Sequence, residues 1–182
     1  MAQPGAGPVG PFPPGVDPDE YDRMRRRLLW TFPSGLFVVG ARDGERRNLM
    51  TLNWATQVSF DPKLFGISVE KAAFTHELIA ASNAYCVNSI DREDRTIVRK
   101  FTKPVEFDDT TSTANGFAFH DGPATGCPVL DQAAAFVECA VRDAVDAGDH
   151  TFFIGEVVHA AFQKDEETPV LRMEDTRMNY GG

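Results

Sequence analysis

The stretch Asn48-Leu49-Met50-Thr51-Leu52-Asn53-Trp54-Ala55-Thr56-Gln57-Val58-Ser59-Phe60-Asp61-Pro62 decides how the chain is to be read. It runs like a strand, yet it is crowded with hydroxyl and amide side chains, as an edge strand or a strand that lines a site would be. Asp61-Pro62 turns it. Leu64 to Glu70 then sets Phe65, Ile67 and Val69 against Gly66, Ser68 and Glu70, so one face goes to a core and the other lines something. Upstream, Leu36-Phe37-Val38-Val39 reads as a buried strand over 35–41, and Asp43-Gly44 is a hairpin signal into a second strand from about Arg47.

The same pattern extends outward. Residues 84–89 form another strand, and two long strands, 133–145 and 150–162, are joined by the tight turn Asp146-Ala147-Gly148-Asp149. A last short strand is expected over 170–173. Helical spacing covers 19–30 behind an acidic first turn, with Tyr21, Met24, Leu28 and Leu29 on one side and Pro33 and Gly35 as the stop. A short helix opened by Thr75 spans 74–81, and 91–101 reads as a further helix with Ile97, Val98 and Phe101 inward. The polar stretch 102–127 is too long for a simple connection and is the candidate lid. Many hairpin-linked strands with only short helices predict a mainly β fold, a closed or nearly closed antiparallel barrel with a few short flanking helices.

Length and composition agree with one globular unit. The 182 residues are 42% hydrophobic and 25% charged, enough for a single core. Residues 1–18, rich in proline and glycine, are expected to be a flexible arm, with 19–182 as the folded domain. No secretory signal and no membrane-length apolar run are seen, so a soluble, cytoplasmic protein is expected. A formal charge of −9 argues against nucleic acid and anionic lipid despite Arg25-Arg26-Arg27. Cys86, Cys127 and Cys139 are odd in number and scattered, which suits reduced core thiols.

Several chemistries lack their parts. There is no Rossmann glycine fingerprint, no phosphate-binding P-loop and no hydrolase nucleophile elbow. His76, His120, His150 and His159 never stand at ligand spacing, so no metal is expected. What remains is the polar run from Thr51 to Thr56 and a second polar set one hairpin away, Ser68, Lys71, Thr75 and His76, where a strand ends and a helix begins. A helix N-terminus beside a lysine is suited to a phosphate.

At this point the sequence resembles the flavin reductase-like family of FMN-binding split β-barrels, over about residues 32–180. Family members carry, in order, M-T-x-S-S-x-x-S-x-S-x-D-P-P, K-x-x-x-T before a helix, F-x-V-N, G-x-P-V-L and G-D-H-T-x-x-I-G-x-V. This chain offers Met50-Thr51 to Asp61-Pro62, Lys71 to Thr75, Tyr85-Cys86-Val87-Asn88, Gly126-Cys127-Pro128-Val129-Leu130 and Gly148-Asp149-His150-Thr151-Phe152-Phe153-Ile154-Gly155-Glu156-Val157.

The resemblance implies an antiparallel split β-barrel and an NAD(P)H:flavin oxidoreductase, which passes hydride from NADH or NADPH to FMN, with FAD also possible. It implies that Thr51, Leu52, Asn53, Trp54, Ala55 and Thr56 hold the ribityl chain and the ring edge. Ser68, Lys71, Thr75 and His76 would form the phosphate corner, and Val87 and Asn88 would meet the pyrimidine end. His150 would lie near flavin and nicotinamide, the alternative being a turn histidine capping the hairpin. Tyr180 matches a family tyrosine close to the site. A homodimer and a partner monooxygenase that takes reduced flavin are further implications. Ala72-Ala73-Phe74 departs from the family pattern by two hydroxyls and a cation, which His76, protonated beside phosphate, would replace. Trp54 would stack on flavin or fill core. A flavin carrier without NAD(P)H turnover, and an oxidase of the pyridoxamine phosphate type, are the competing functions.

Overall fold

In the computed structural model, which describes residues 7–176 and residue 178, the chain begins with α1 (Pro18–Leu29), capped by the Asp17 carboxylate, which accepts from the Glu20 N–H at 2.9 Å. The strands β1 (Phe37–Asp43), β2 (Arg46–Leu52), β3 (Ala55–Ser59) and β4 (Leu64–Glu70) follow, then α2 (Phe74–Ser82), β5 (Ala84–Ile90) and α3 (Ile97–Lys100). Four short strands, β6 (Phe107–Asp108), β7 (Thr113–Ala114), β8 (Phe117–Asp121) and β9 (Pro128–Leu130), precede the long pair β10 (Ala133–Ala147) and β11 (His150–Phe162).

The main sheet is antiparallel and seven-stranded, in the order β2-β1-β5-β10-β11-β4-β3. Its two rim strands, β2 and β3, are consecutive in the chain and joined only by Asn53 and Trp54. A link that short spans no more than about 10 Å, so the sheet has to roll until its rims meet there. The rims are not hydrogen-bonded to each other. The barrel is therefore split, and its seam lies at Asn53-Trp54.

Successive residues of β1 face opposite ways and both faces are buried. Val39 belongs to the core inside the roll, with Leu52, Ile67, Val69, Leu78, Ile79, Tyr85, Val87 and Phe153. Val38 belongs to a second core outside it, with Leu49, Ile97, Val98, Phe101, Phe119 and Leu130. The three thiols are free and buried, and burial pushes that of Cys139 up to about 12.

Four expectations are corrected. The polar stretch 102–127 supplies three strands of a small four-stranded sheet, completed by β9, rather than a lid: Ala114 and Phe119 are buried, and Arg47 lies over the rings of Phe107 and Phe119 at 4.5 and 5.0 Å while pairing with Asp109. Thr75 does not open α2. The cap position is Ala73, without a side-chain bond, and the buried Thr75 hydroxyl accepts from Asn48 Nδ2 at 2.9 Å. The helix expected over 91–101 divides into a 3-10 turn at Arg92–Asp94 and α3, with Ile97, Val98 and Phe101 inward as expected. In place of a strand at 170–173 there are two isolated bridges, Asp91 with Val170 and Gly35 with Arg172. The second bridge ties the approach to β1 to the C-terminal segment, as do bonds from Leu36 N to Leu171 O and Met173 N to Ser34 O, each 3.0 Å.

Within the arm, the described residues fold back on α1. The Arg25 guanidinium donates to the carbonyls of Val9 and Pro11 and lies 5.4 Å from the Phe12 ring.

Candidate functional site

The seam makes the site. Trp54 is held by its backbone, whose carbonyl accepts from Ser68 N on β4 at 2.9 Å, while its indole stays 38% exposed. That exposure removes the core-filling alternative. The indole lies against the His150 imidazole, with ring centroids 4.9 Å apart. His150 opens β11 and is 8% exposed. The hairpin before it turns on Gly148, whose φ of +76° favours glycine.

Nδ1 of His150 lies 2.7 Å from Asp149 Oδ1. The bond from His150 is the chief reason the Asp149 carboxyl is held below its ordinary range. An ionised carboxylate only accepts, so Nδ1 carries the hydrogen and Nε2 is the free position. Nε2 is buried and has no hydrogen-bond partner among the described residues.

The phosphate corner meets the same strand. Lys71 N donates to Asp149 O at 2.9 Å, and Nε2 of His76 lies 2.8 Å from the hydroxyl of Thr151, one residue beyond His150. The segments 51–56 and 71–76 thus converge on consecutive residues of β11. Trp54, Ser68, Lys71, His76 and His150 are linked around that point by these contacts, whereas Thr75 bonds to Asn48 on β2.

Other expected residues are placed differently. Thr51 is fastened to the α3 region, its hydroxyl donating to Val98 O and its N–H to Phe101 O at 3.0 Å. Leu52 is core, and Ala55 and Thr56 lie on the rim strand β3, where Thr56 is exposed. Val87 and Asn88 lie in mid-sheet, paired with β1 and β10. The fully buried Asn88 amide donates to Val38 O at 3.0 Å and accepts from Leu130 N at 2.9 Å, so it is consumed within the protein. Tyr180 lies outside the described residues.

The electrostatics of the corner differ from the expectation. Burial, and then the nearby Lys71 ammonium, lower the His76 pKa, so its imidazole is neutral at neutral pH. The Lys71 ammonium donates to Asp146 at 2.9 Å and to Gly148 O at 2.6 Å.

Beside the seam opens a cavity of about 550 Å³ that the sequence did not foreshadow. Asn53 and Trp54 form one wall, and Trp30, Phe32, Met173 and Glu174 are among the residues of the other. Those come from the two tied terminal segments, far apart in sequence, Trp30 and Phe32 just beyond α1 and Met173 and Glu174 in a 3-10 turn. Asn53 is only 5% exposed, and its Oδ1 has no hydrogen-bond partner among the described residues. An exposed indole, two orphaned buried polar atoms and the one-sided rim strand β3 fit a planar heteroaromatic cofactor with a polar edge.

A rolled antiparallel sheet with a polar site on its seam defines the class of the split β-barrels. The flavin reductase like domain model matches residues 26–181, and the chain belongs to that family. It is 32% identical over 143 residues to the stachydrine N-demethylase reductase subunit of Rhizobium meliloti, covering 76% of this chain but only 59% of that relative's length. It is 32% identical over 154 residues to the FMN reductase (NADH) SmoA of Agrobacterium fabrum, covering 82% of this chain and 80% of the relative. Among solved structures, the NADH:FAD oxidoreductase of Streptomyces globisporus superposes with a TM-score of 0.75 at 29% identity, over 92% of this chain and 96% of that one. No helix among the described residues is long and apolar enough to cross a membrane.

Proposed function

We propose that the protein is a flavin reductase that uses NADH or NADPH to reduce FMN or FAD and hands the product to a partner monooxygenase. The observation that carries this is the meeting of Trp54 and His76 on His150 and Thr151 in a chain of this family. When bound, flavin supplies the hydride-accepting ring. The chain's part is to hold and align.

The rim backbone from Trp54 to Thr56 holds the ribityl chain and ring edge, and Trp54 offers its indole for stacking. Lys71, with the uncapped start of α2 and the neutral His76, receives the phosphate. Lys71 leaves Asp146 to do so. Ser68 and the wall at Thr75 support that corner. His150, its tautomer fixed by Asp149, faces the ring edge with Nε2.

The FMN reductase (NADH) among the relatives favours NADH, and the relative named as a reductase subunit supports transfer to a separate oxygenase. A homodimer is supported by α1, which buries none of its residues against the described chain and shows Met24, Leu28 and Leu29 to solvent. The deciding experiment follows NADH and NADPH consumption with added FMN or FAD. Saturable turnover with at least one pair is expected. Flavin binding without turnover leaves a carrier and overturns the reductase.

A further inference from the structure

We propose that the Asn53 side chain is the residue that selects nicotinamide, its Oδ1 accepting the carboxamide N–H of the dinucleotide. This rests on the reductase reading and assigns one of its two ligands to a specific atom. Asn53 lines the cavity, is almost wholly buried at 5% exposure, and presents an acceptor with no partner among the described residues. A buried acceptor left empty is costly, and a ligand N–H placed there recovers that cost.

The layout favours the nicotinamide over the flavin as the donor. Trp54 is shared by two places, the cavity and the His150 neighbourhood. None of Ser68, Lys71, Thr75, His76 or His150 lines the cavity. A flavin with its phosphate at the Lys71 corner reaches Trp54 by way of His150 and Thr151, which leaves the cavity for the second ring. Trp30, Phe32, Met173 and Met178 give that space apolar walls for a flat ring. No lysine or arginine lines it among the described residues, which suits an uncharged carboxamide rather than a phosphate.

The test compares equilibrium binding of NAD⁺ with that of its 3-acetylpyridine analogue, which keeps the carbonyl and lacks the N–H₂. The protein as it stands is expected to bind NAD⁺ about fivefold to twentyfold more tightly, the worth of one buried hydrogen bond. In Asn53→Ala the ratio is expected to fall within twofold of unity through loss of NAD⁺ affinity, with the FMN dissociation constant unchanged within threefold. Asn53→Asp keeps the acceptor and the shape, and it is expected to retain the ratio. Equal binding of the two dinucleotides by the parent protein overturns the proposal, as does binding of neither. So does a parent-like ratio in Asn53→Ala, a lost ratio in Asn53→Asp, or a loss confined to FMN. If the ratio behaves as expected while NADH turnover is absent, the reductase reading fails and this one stands.

Discussion

His150 is the residue on which the site turns, because its two nitrogens have been given different work. Asp149 holds Nδ1–H at 2.7 Å, and Nε2 is left buried with no partner among the described residues. Asparagine can keep the contact to Asp149 but cannot reach the Nε2 position. His150→Asn is therefore expected to lower kcat/KM for NADH by about 10- to 100-fold, with the unfolding midpoint little changed. Steady-state rates beside a thermal melt check this, and a kcat/KM within threefold of the parent removes His150 from the reacting edge. His76 gives a pH signature. Its folded pKa lies below the unfolded value, so the unfolded chain binds the proton more readily. The stability it contributes is complete above about pH 6.5 and is lost as pH falls from there through the folded pKa. His76→Gln lacks that component. Urea unfolding between pH 5 and 7.5 is expected to show a shallower loss toward acid in the variant than in the parent.

At the scale of elements, Asn88 shows where a sequence motif and its physical role part company. The V-N pair resembles a family feature near the flavin, but the structure puts Asn88 at the centre of the sheet, joining β1 to β9 from β5. Removing its amide orphans a buried carbonyl and a buried N–H. Asn88→Ala is expected to cost about 2–4 kcal/mol by urea denaturation, with flavin affinity in the folded fraction unchanged. The strands were legible because alternation and turn residues mark them locally, and β11 was bounded correctly at His150 and Phe162. The small sheet was not legible. Its strands β6 and β7 are two residues each, too short for any period, and what packs them is tertiary, Arg47 against Phe107 and Phe119. Thr75 looked like a cap because its type suits one, yet its hydroxyl is taken by Asn48 across the roll.

At the scale of the whole molecule, the half of the site carried by contiguous segments, 51–56, 71–76 and 149–151, could be read from the sequence. The half built by the chain's two terminal segments could not, since Trp30 and Met173 come to line one cavity only after Gly35 and Arg172 have been bridged. The same scale holds the exposed face of α1. A dimer of twice the 20.0 kDa chain is expected in sedimentation, and Met24→Asp with Leu28→Asp is expected to shift it to monomer. A parent protein that sediments as a single chain would end the dimer proposal. The two residues that bring the sheet's rims together have one more implication. They act as a clasp between the rims, flanked by Leu52 in the inner core and Ala55 packed against it, so aperture and core are fastened at one point. Splicing a glycine between Asn53 and Trp54 would slacken that fastening, so a wider mouth for bulkier guests would come with looser packing at the rim.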